Sequence, residues 1–391
     1  MAGPLKGVRV VEVANFITGP YAGQLLADLG AEVIKVEDPQ GGDPFRAWGG
    51  GLYSPHFVAH NRNKRSLTLD LKHPRARGVI DRLVQWADVL IENFRPGVAN
   101  RLGIGYERVR QINPRLIYCS ISGMGQSGPY AHRPAYDTVG QGLSGLLSLL
   151  LDPLDPRPIG PAFSDALTGI FAAYGILGAL YARERTGEGQ RVETSMLEAT
   201  LGFLVEPFAR YFALGEVPGP FTRPKMAQVY AFKCADGQVL AIHLSSPPKF
   251  WEGLARAVGR EDLINDPRFS NREARVQNYD QLHSELASIF STRTRDEWLH
   301  ILEDADVPCT PIYTLDQVLN DPQVQYLGVE QVAEHPTEGR VRMIGYPIRF
   351  TQTHLDPPSP PPTLGEDTDA ILAELGYSIE DITLLKREMA C

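Results

Sequence analysis

Cysteine is scarce in this chain: Cys119, Cys234, Cys309 and Cys391 are spread over 391 residues without a C-x-x-C pair. That spacing excludes a disulfide framework or a zinc cluster and agrees with a reducing, cytoplasmic setting. The nine histidines show no H-x-x-x-H or similar ligand spacing, so no metal is implied. Basic charge is also in short supply. With 38 Lys and Arg against 47 Asp and Glu, the formal charge is −9, which argues against a nucleic-acid partner but leaves room for a small phosphorylated ligand. The start, MAGPLKGVRVVEVA, lacks the apolar stretch and small-residue cleavage site of a secretion signal and reads as a first strand.

Long apolar runs are absent with one exception. Ala166 to Ala182 is uncharged for seventeen residues and is bounded by Asp165 and by Arg183-Glu184-Arg185. A membrane span typically needs ~20 residues, so the expectation is a helix buried in a large core and no membrane partner.

What is present is ordinary globular composition, 43% hydrophobic and 22% charged, in a chain too long for one core. Gly7–Val13, the helix-like Gly19–Leu29 and Ala31–Glu37 make a strand–helix–strand unit. A strand at Ser66–Leu71, a helix from Pro74 to Trp86 and strands at Asp88–Asn93 and Arg115–Ser122 extend it into an open α/β sheet with helices on both faces. Helices are expected from Tyr136 to Leu151, over 165–185 and over Ser195–Leu214. The Pro- and Gly-rich Gly215–Pro224 punctuates the chain as an interdomain linker. A smaller α+β unit follows, opening with a hairpin around Asp236-Gly237. The proline run from Asp356 to Pro362 is an extended spacer before a short helical tail.

Asp165 stands at the head of the apolar helix, where an aspartate commonly only caps. Two features add a chemical role. Gly169, Gly175 and Gly178 each cost about 0.5–1 kcal/mol in a helix relative to Ala, a cost that makes sense where other backbones approach closely. The positive end of the helix dipole would also keep a poorly solvated carboxylate ionised, as nucleophilic attack on a thioester requires. Gly19, Pro20 and Gly23 follow the first strand, but the full G-x-G-x-x-G fingerprint of dinucleotide sites is missing. Asn93-Phe-Arg-Pro-Gly97, with Arg101 beyond, ends a strand and suits either an adenine with phosphates or a solvated basic turn. Asn63-Lys-Arg-Ser66 and Lys72 form a second basic group near the same edge.

GVRVVEVANFITGPYAGQLLADLGAEVIKVE, GGDPFR, NRNKRSLTLDLK, DVLIENFRPGV, NPRLIYCSISGMGQSGP, AYDTVGQGLSG, SDALTG and RERTGEGQRVE occur here in order. So do DPRFSNREARVQNYDQL, PCTPIYTLDQV and LGEDTDAIL. Together they resemble the class III CoA-transferase family, also called the formyl-CoA transferase or CaiB/BaiF family, over nearly the whole chain. The resemblance implies an α/β fold with a Rossmann-like large domain on a parallel sheet, formed by residues 1–200 with 335–391. A linker at 201–224 and a smaller α+β domain at 225–334 complete each chain of an interlocked homodimer.

By the same resemblance Asp165 is the nucleophile, acyl-CoA is a substrate and no cofactor is tightly bound. CoA contacts map onto Ile17, Thr18, Leu69, Asp70, Leu71, Lys72, Asn93, Phe94, Arg95, Arg101, Pro134, Ala135, Tyr136 and Asp137. Asp38 replaces a basic residue of some relatives, and the glycine-rich lid of the formyl-CoA enzymes is missing around Thr222–Met226, against an oxalate and formate pair. A racemase on the same fold is the rival reading, with Tyr136 where similar racemases carry a histidine. Tyrosine, with a reference pKa of ~10, is a poor base at neutral pH, which favours the transferase. A non-catalytic CoA-binding protein is a third reading, opposed by Asp165. Tyr136, Arg46, His56 and His60 could reach a second carboxylate, favouring dicarboxylates such as succinate, malate, mesaconate or citramalate.

Overall fold

β-branched runs that bury both faces of a strand favour parallel pairing, and five such pairings build the main sheet. A computed structural model describes residues 2–388 together with 390 and 391. Its strands are β1 (Arg9–Val13), β2 (Glu32–Glu37), β3 (Lys64–Thr68), β4 (Val89–Glu92), β5 (Ile117–Ser122) and β6 (Arg191–Ser195). They lie in the order β3-β2-β1-β4-β5-β6, all parallel. The strand order reverses between β1 and β4, and the carboxyl ends of strands at such a point are where open α/β sheets bind ligands.

One face carries α1 (Thr18–Asp28) and α4 (Phe163–Thr186), whose Ala22, Leu26, Ala172 and Ile176 pack on Val10, Val33, Ile117 and Cys119. The other face carries α2 (Ala76–Trp86) and the tail helices Thr368–Glu374 and Ile379–Arg387, sharing a core of Val11, Ile34, Leu90, Leu83, Ile371 and Leu385. The tail also covers β3: the Ser66 amide donates to Asp367 at 2.9 Å and the Thr68 amide to Thr368 at 3.1 Å. The Rossmann-like sheet expected from the sequence is therefore present.

The chain divides into two compact units. The first runs through Leu147 and resumes over Pro158–Val205 and Gly328–Cys391; the second holds Ser148–Arg157 and Glu206–Leu327. In the second, antiparallel strands Val229–Lys233, Val239–His243 and Cys309–Pro311 back a core of Tyr230, Phe232, Trp251, Leu282, Phe290 and Trp298.

Several local expectations change. The helix expected over 136–151 is α3 (Asp137–Leu143) followed by a 3₁₀ turn, Leu146–Leu149. That over 195–214 is two helices, α5 (Met196–Phe203) and α6 (Val205–Leu214), and the sequence reading missed β6 just before them. β6 is a polar edge strand without an apolar run, so its pattern carries little signal. Residues 201–224, read as a linker, are largely helical, and the strand Glu330–His335 pairs with Gly339–Ile344 in the first unit rather than the second. The apolar helix is only half enclosed: Ile170, Tyr174 and Tyr181 of α4 are exposed.

Toward the carboxyl ends of β1 and β2 and at the start of β3, the α1 face of the sheet turns from apolar to ionic. Lys35 pairs with Glu12 at 2.9 Å and Asp43 at 3.0 Å, Lys64 with Glu12 at 2.7 Å, and Arg46 with Glu37 at 2.7 Å, all with side chains fully enclosed. Three cations meet three carboxylates. Burial opposes the Lys35 charge, but Glu12, Asp43 and Glu37 together raise its pKa. Burial and the neighbouring Lys35 outweigh Glu12 at Lys64 and push it down to about 8. Gly23 of α1 makes room, because a Cβ there would lie 1.9 Å from the Glu12 carboxylate.

Breaking one buried partner leaves an uncompensated charge. Lys35→Met should therefore cost about 3–5 kcal/mol, read as a fall in urea midpoint at constant slope. Arg65→Met, which removes a water-exposed pairing with Glu32 and Glu374, should cost under about 1 kcal/mol in the same measurement.

Candidate active site

Three strand ends and one helix start enclose a cavity of about 280 Å3. β1 delivers Phe16, Ile17 and Thr18, β4 delivers Asn93, Phe94, Arg95 and Pro96, β5 ends at Ile121 and Ser122, and α4 contributes Asp165. Close helix packing makes this meeting possible. A Cβ on Gly169 would lie 3.0 Å from the Thr18 carbonyl and 3.0 Å from Tyr21, so α1 and α4 touch there. Asp165, one turn earlier on α4, is thereby carried to the start of α1. The close approach expected at three glycines holds at this one. Gly175 faces the Val192 side chain, and Gly178 has nothing within 4 Å.

The start of α1 is rich in unspent donors. Among the described residues the amides of Ile17, Thr18 and Gly19 have no hydrogen-bond acceptor, as expected for a helix's first turn. Pro20 continues the turn without an N–H. Anions are stabilised at such a terminus.

Asp165 does not cap its helix, contrary to the simplest reading of its position. α4 starts at Phe163, and the cap comes from Asp137 on α3, whose Oδ1 accepts from the Ser164 amide at 2.9 Å and the Asp165 amide at 3.2 Å. The other oxygen of Asp137 accepts from Gln141. The Asp165 carboxylate has no hydrogen-bond or ion-pair partner among the described residues. Burial, and then the charge of Asp137, push its pKa up to about 7. The expectation from the helix dipole alone is a fully ionised carboxylate; desolvation and a like charge work against it.

The expected CoA contacts divide. Ile17, Thr18, Asn93, Phe94, Arg95, Ala135 and Tyr136 line the cavity with Asp165. Pro134 and Asp137 flank it, Asp137 as the helix cap. Leu69, Asp70, Leu71, Lys72 and Arg101 lie outside the lining. Leu69 is core, Leu71 packs against that core, Asp70 donates its amide to the Ala390 carbonyl, and Lys72 and Arg101 are exposed. Asn93 is fully engaged: its amide nitrogen donates to the Asn15 carbonyl at 2.8 Å and Thr18 Oγ1 at 3.0 Å, while its oxygen accepts from the Asn15 amide. It shapes the loop and has no donor left for a ligand.

Of the residues expected to meet a second carboxylate, Arg46 is removed. It is fully buried, bidentate to Glu37 and bonded to the carbonyls of Leu52 and Pro362. His60 is held neutral, burial driving its pKa down to about 4. Tyr136 is exposed, edge-on to Phe16 at 5.9 Å, and His56 lies against Phe45 and Trp48. Sequence reasoning missed Phe16, Ser122, Arg133 and Met196 in the lining. Of these only Ser122, beside the Gly-rich turn, had a visible signal.

The profile of CoA-transferase family III matches residues 5–368. A succinate–glutarate CoA-transferase of Agrobacterium fabrum is 37% identical over 389 residues, 95% of this chain and 96% of its own. An acetyl-CoA:oxalate CoA-transferase of Acetobacter aceti is 39% identical over 327 residues, 82% of this chain and 84% of its own. The crystal structure of a CaiB/BaiF family protein from Brucella suis superposes with a TM-score of 0.85 at 38% identity, covering 96% of this chain and 100% of that one.

The raised pKa of Asp165 has a checkable sign. An acid whose folded pKa exceeds its unfolded value near ~4 costs stability above that lower value, and the cost grows until pH passes about 7. Asp165→Asn should therefore raise Tm at pH 8 and leave it unchanged at pH 4. Asp137→Asn keeps the acceptor for α4 but removes the like charge, so the Asp165 titration, followed by carboxyl NMR, should move to lower pH.

Proposed function

The chain belongs to CoA-transferase family III and is a class III CoA-transferase; from that premise we propose that it exchanges CoA between carboxylic acids with Asp165 as covalent nucleophile. The observation that carries this is the carboxylate itself: unpaired, desolvated, in a cavity whose other wall is a helix start with three unspent amides.

The Asp165 oxygen attacks the donor thioester carbonyl, the C–S bond breaks, and CoA leaves as thiolate from a mixed anhydride. The thiolate attacks the aspartyl carbonyl, the bond from that carbon to the bridging oxygen breaks, and the oxygen leaves with the acyl group as the donor carboxylate, leaving an aspartyl-CoA thioester. An acceptor carboxylate attacks that thioester and the steps run in reverse, regenerating Asp165. The α1 amides stabilise the oxyanions that form at each attack, and enclosure keeps water from the anhydride. One thioester replaces another, so the exchange is close to thermoneutral. A cavity of this size takes the thioester end and a short acyl group, with Arg95 and Arg133 toward the CoA phosphates.

Short dicarboxylates are the proposed acids, succinate, malate, mesaconate or citramalate, transferred between molecules or within one. With Arg46 and His60 withdrawn, Tyr136 and His56 remain to meet the distal carboxylate. The racemase alternative is disfavoured because an exposed tyrosine replaces a histidine base. A homodimer fits the outward apolar face of α4, and α6 has no buried residue in the isolated chain.

Incubation with succinyl-CoA should add CoA to Asp165, detected by intact mass and trapped by hydroxylamine. Asp165→Ala should lose both the adduct and turnover, by about a thousandfold or more. A panel of C2 to C5 acceptors, oxalate and glutarate included, identifies the acid. Deuterium washout at the α-carbon without any acceptor, in the absence of an adduct, would favour the racemase.

A further inference from the structure

Phe16 occupies the left-handed backbone region at φ 65°, a conformation that aromatic residues rarely adopt. It stands between the last residues of β1 and the first turn of α1, and it lines the cavity. Its amide hydrogen bonds to both oxygens of Asp43, at 3.1 Å each. Asp43 is fully buried and lies outside the cavity lining. It is in turn fixed by Lys35 at 3.0 Å, by the Phe45 amide at 2.9 Å, and through its own amide by Glu37 at 3.1 Å. On the other flank Asn93 holds Asn15 and Thr18.

We propose that Asp43 is a positioning residue for CoA transfer: its grip on Phe16 aims the free amides of Ile17, Thr18 and Gly19 at the groups that react on Asp165. The proposal rests on the transferase reading above. The direction of a helix's first amides is set by the backbone that enters it, and a residue at positive φ there turns the chain sharply. Left alone, Phe16 would relax toward negative φ and swing those amides. Asp43 prevents this through a carboxylate that has no freedom to follow, because the sealed ion cluster holds it from three sides. Lys35 supplies the counter-charge that lets a carboxylate remain charged out of contact with water.

The test compares two charge-balanced variants, Lys35→Met with Asp43→Ala and Lys35→Met with Asp43→Asn. Both lose the same ion pair, but only the second keeps an oxygen for the Phe16 amide. With succinyl-CoA as donor and glutarate as acceptor, the alanine form should show kcat about a hundredfold below the asparagine form, with KM for succinyl-CoA changed far less. Asp28→Asn, which breaks the buried pair with Arg62 at the opposite end of α1, should lower Tm without that loss of kcat. Equal kcat for the alanine and asparagine forms at equal folded fraction overturns the proposal. Should the alanine form not fold, hydrogen exchange on the wild-type protein decides. A Phe16 amide as protected as the β1 amides supports the clamp, and one exchanging as fast as Gly49 to Gly51 overturns it. Absence of any CoA adduct on wild-type Asp165 is instead a failure of the transferase reading, and the exchange result still decides whether the clamp exists.

Discussion

Balanced charge without water is the constraint around which this protein's working end is arranged. Glu12, Lys35, Glu37, Asp43, Arg46 and Lys64 sit where the main sheet meets α1, and removing any one of them strands its partners in a low-dielectric interior. Because each charge has a fixed partner, each backbone segment carrying one has a fixed place. That is how a loop after β1, a turn at 43–46 and the start of β3 become a single rigid support. Gly23 is required for the same reason, since any side chain there would displace Glu12. The glycines after the first strand therefore serve packing and ion pairing, which explains why they fall short of a dinucleotide fingerprint.

On this support two helix starts are brought face to face. α1 offers amides without acceptors, and α4 offers a carboxylate without donors. In the mechanism proposed above, a reacting thioester supplies what both lack: a carbonyl carbon for the carboxylate and a developing oxyanion for the amides. The elevated pKa of Asp165 comes first from the same enclosure that, on that mechanism, would keep water from an anhydride. A carboxylate comfortable in water would be a weaker nucleophile here, and a fully solvated one would admit the competing water.

Much of this was legible in the sequence, for definable reasons. The sheet announced itself through β-branched runs that must be buried on both faces, and the motifs carried the family. The polar edge strand β6 gave no such signal, nor did the break at Leu204 between α5 and α6. Contacts that depend on which side chains meet in space left no such mark. Arg46 looked available for substrate because arginines usually reach solvent, but Glu37 lies within hydrogen-bond reach and encloses it. Asp137 looked like a ligand contact and is a cap from a neighbouring helix. Asn93, expected among the CoA contacts, spends its side-chain amide on the loop beside it. Phe16 had no sequence signal, because a positive φ at an aromatic residue is imposed from outside.

The two walls of the cavity differ in how freely they can drift. The contact at Gly169, where an added methyl group would press on Thr18 and Tyr21, ties α4 and the Asp165 at its head to α1. The opposite rim, at Tyr136, is exposed and meets the wall behind it only edge-on, at the ring of Phe16. Substitution of Tyr136 leaves the α1–α4 contact and the buried charges in place. A designer seeking a new acceptor should therefore begin at that rim and leave the packing at Gly169 untouched.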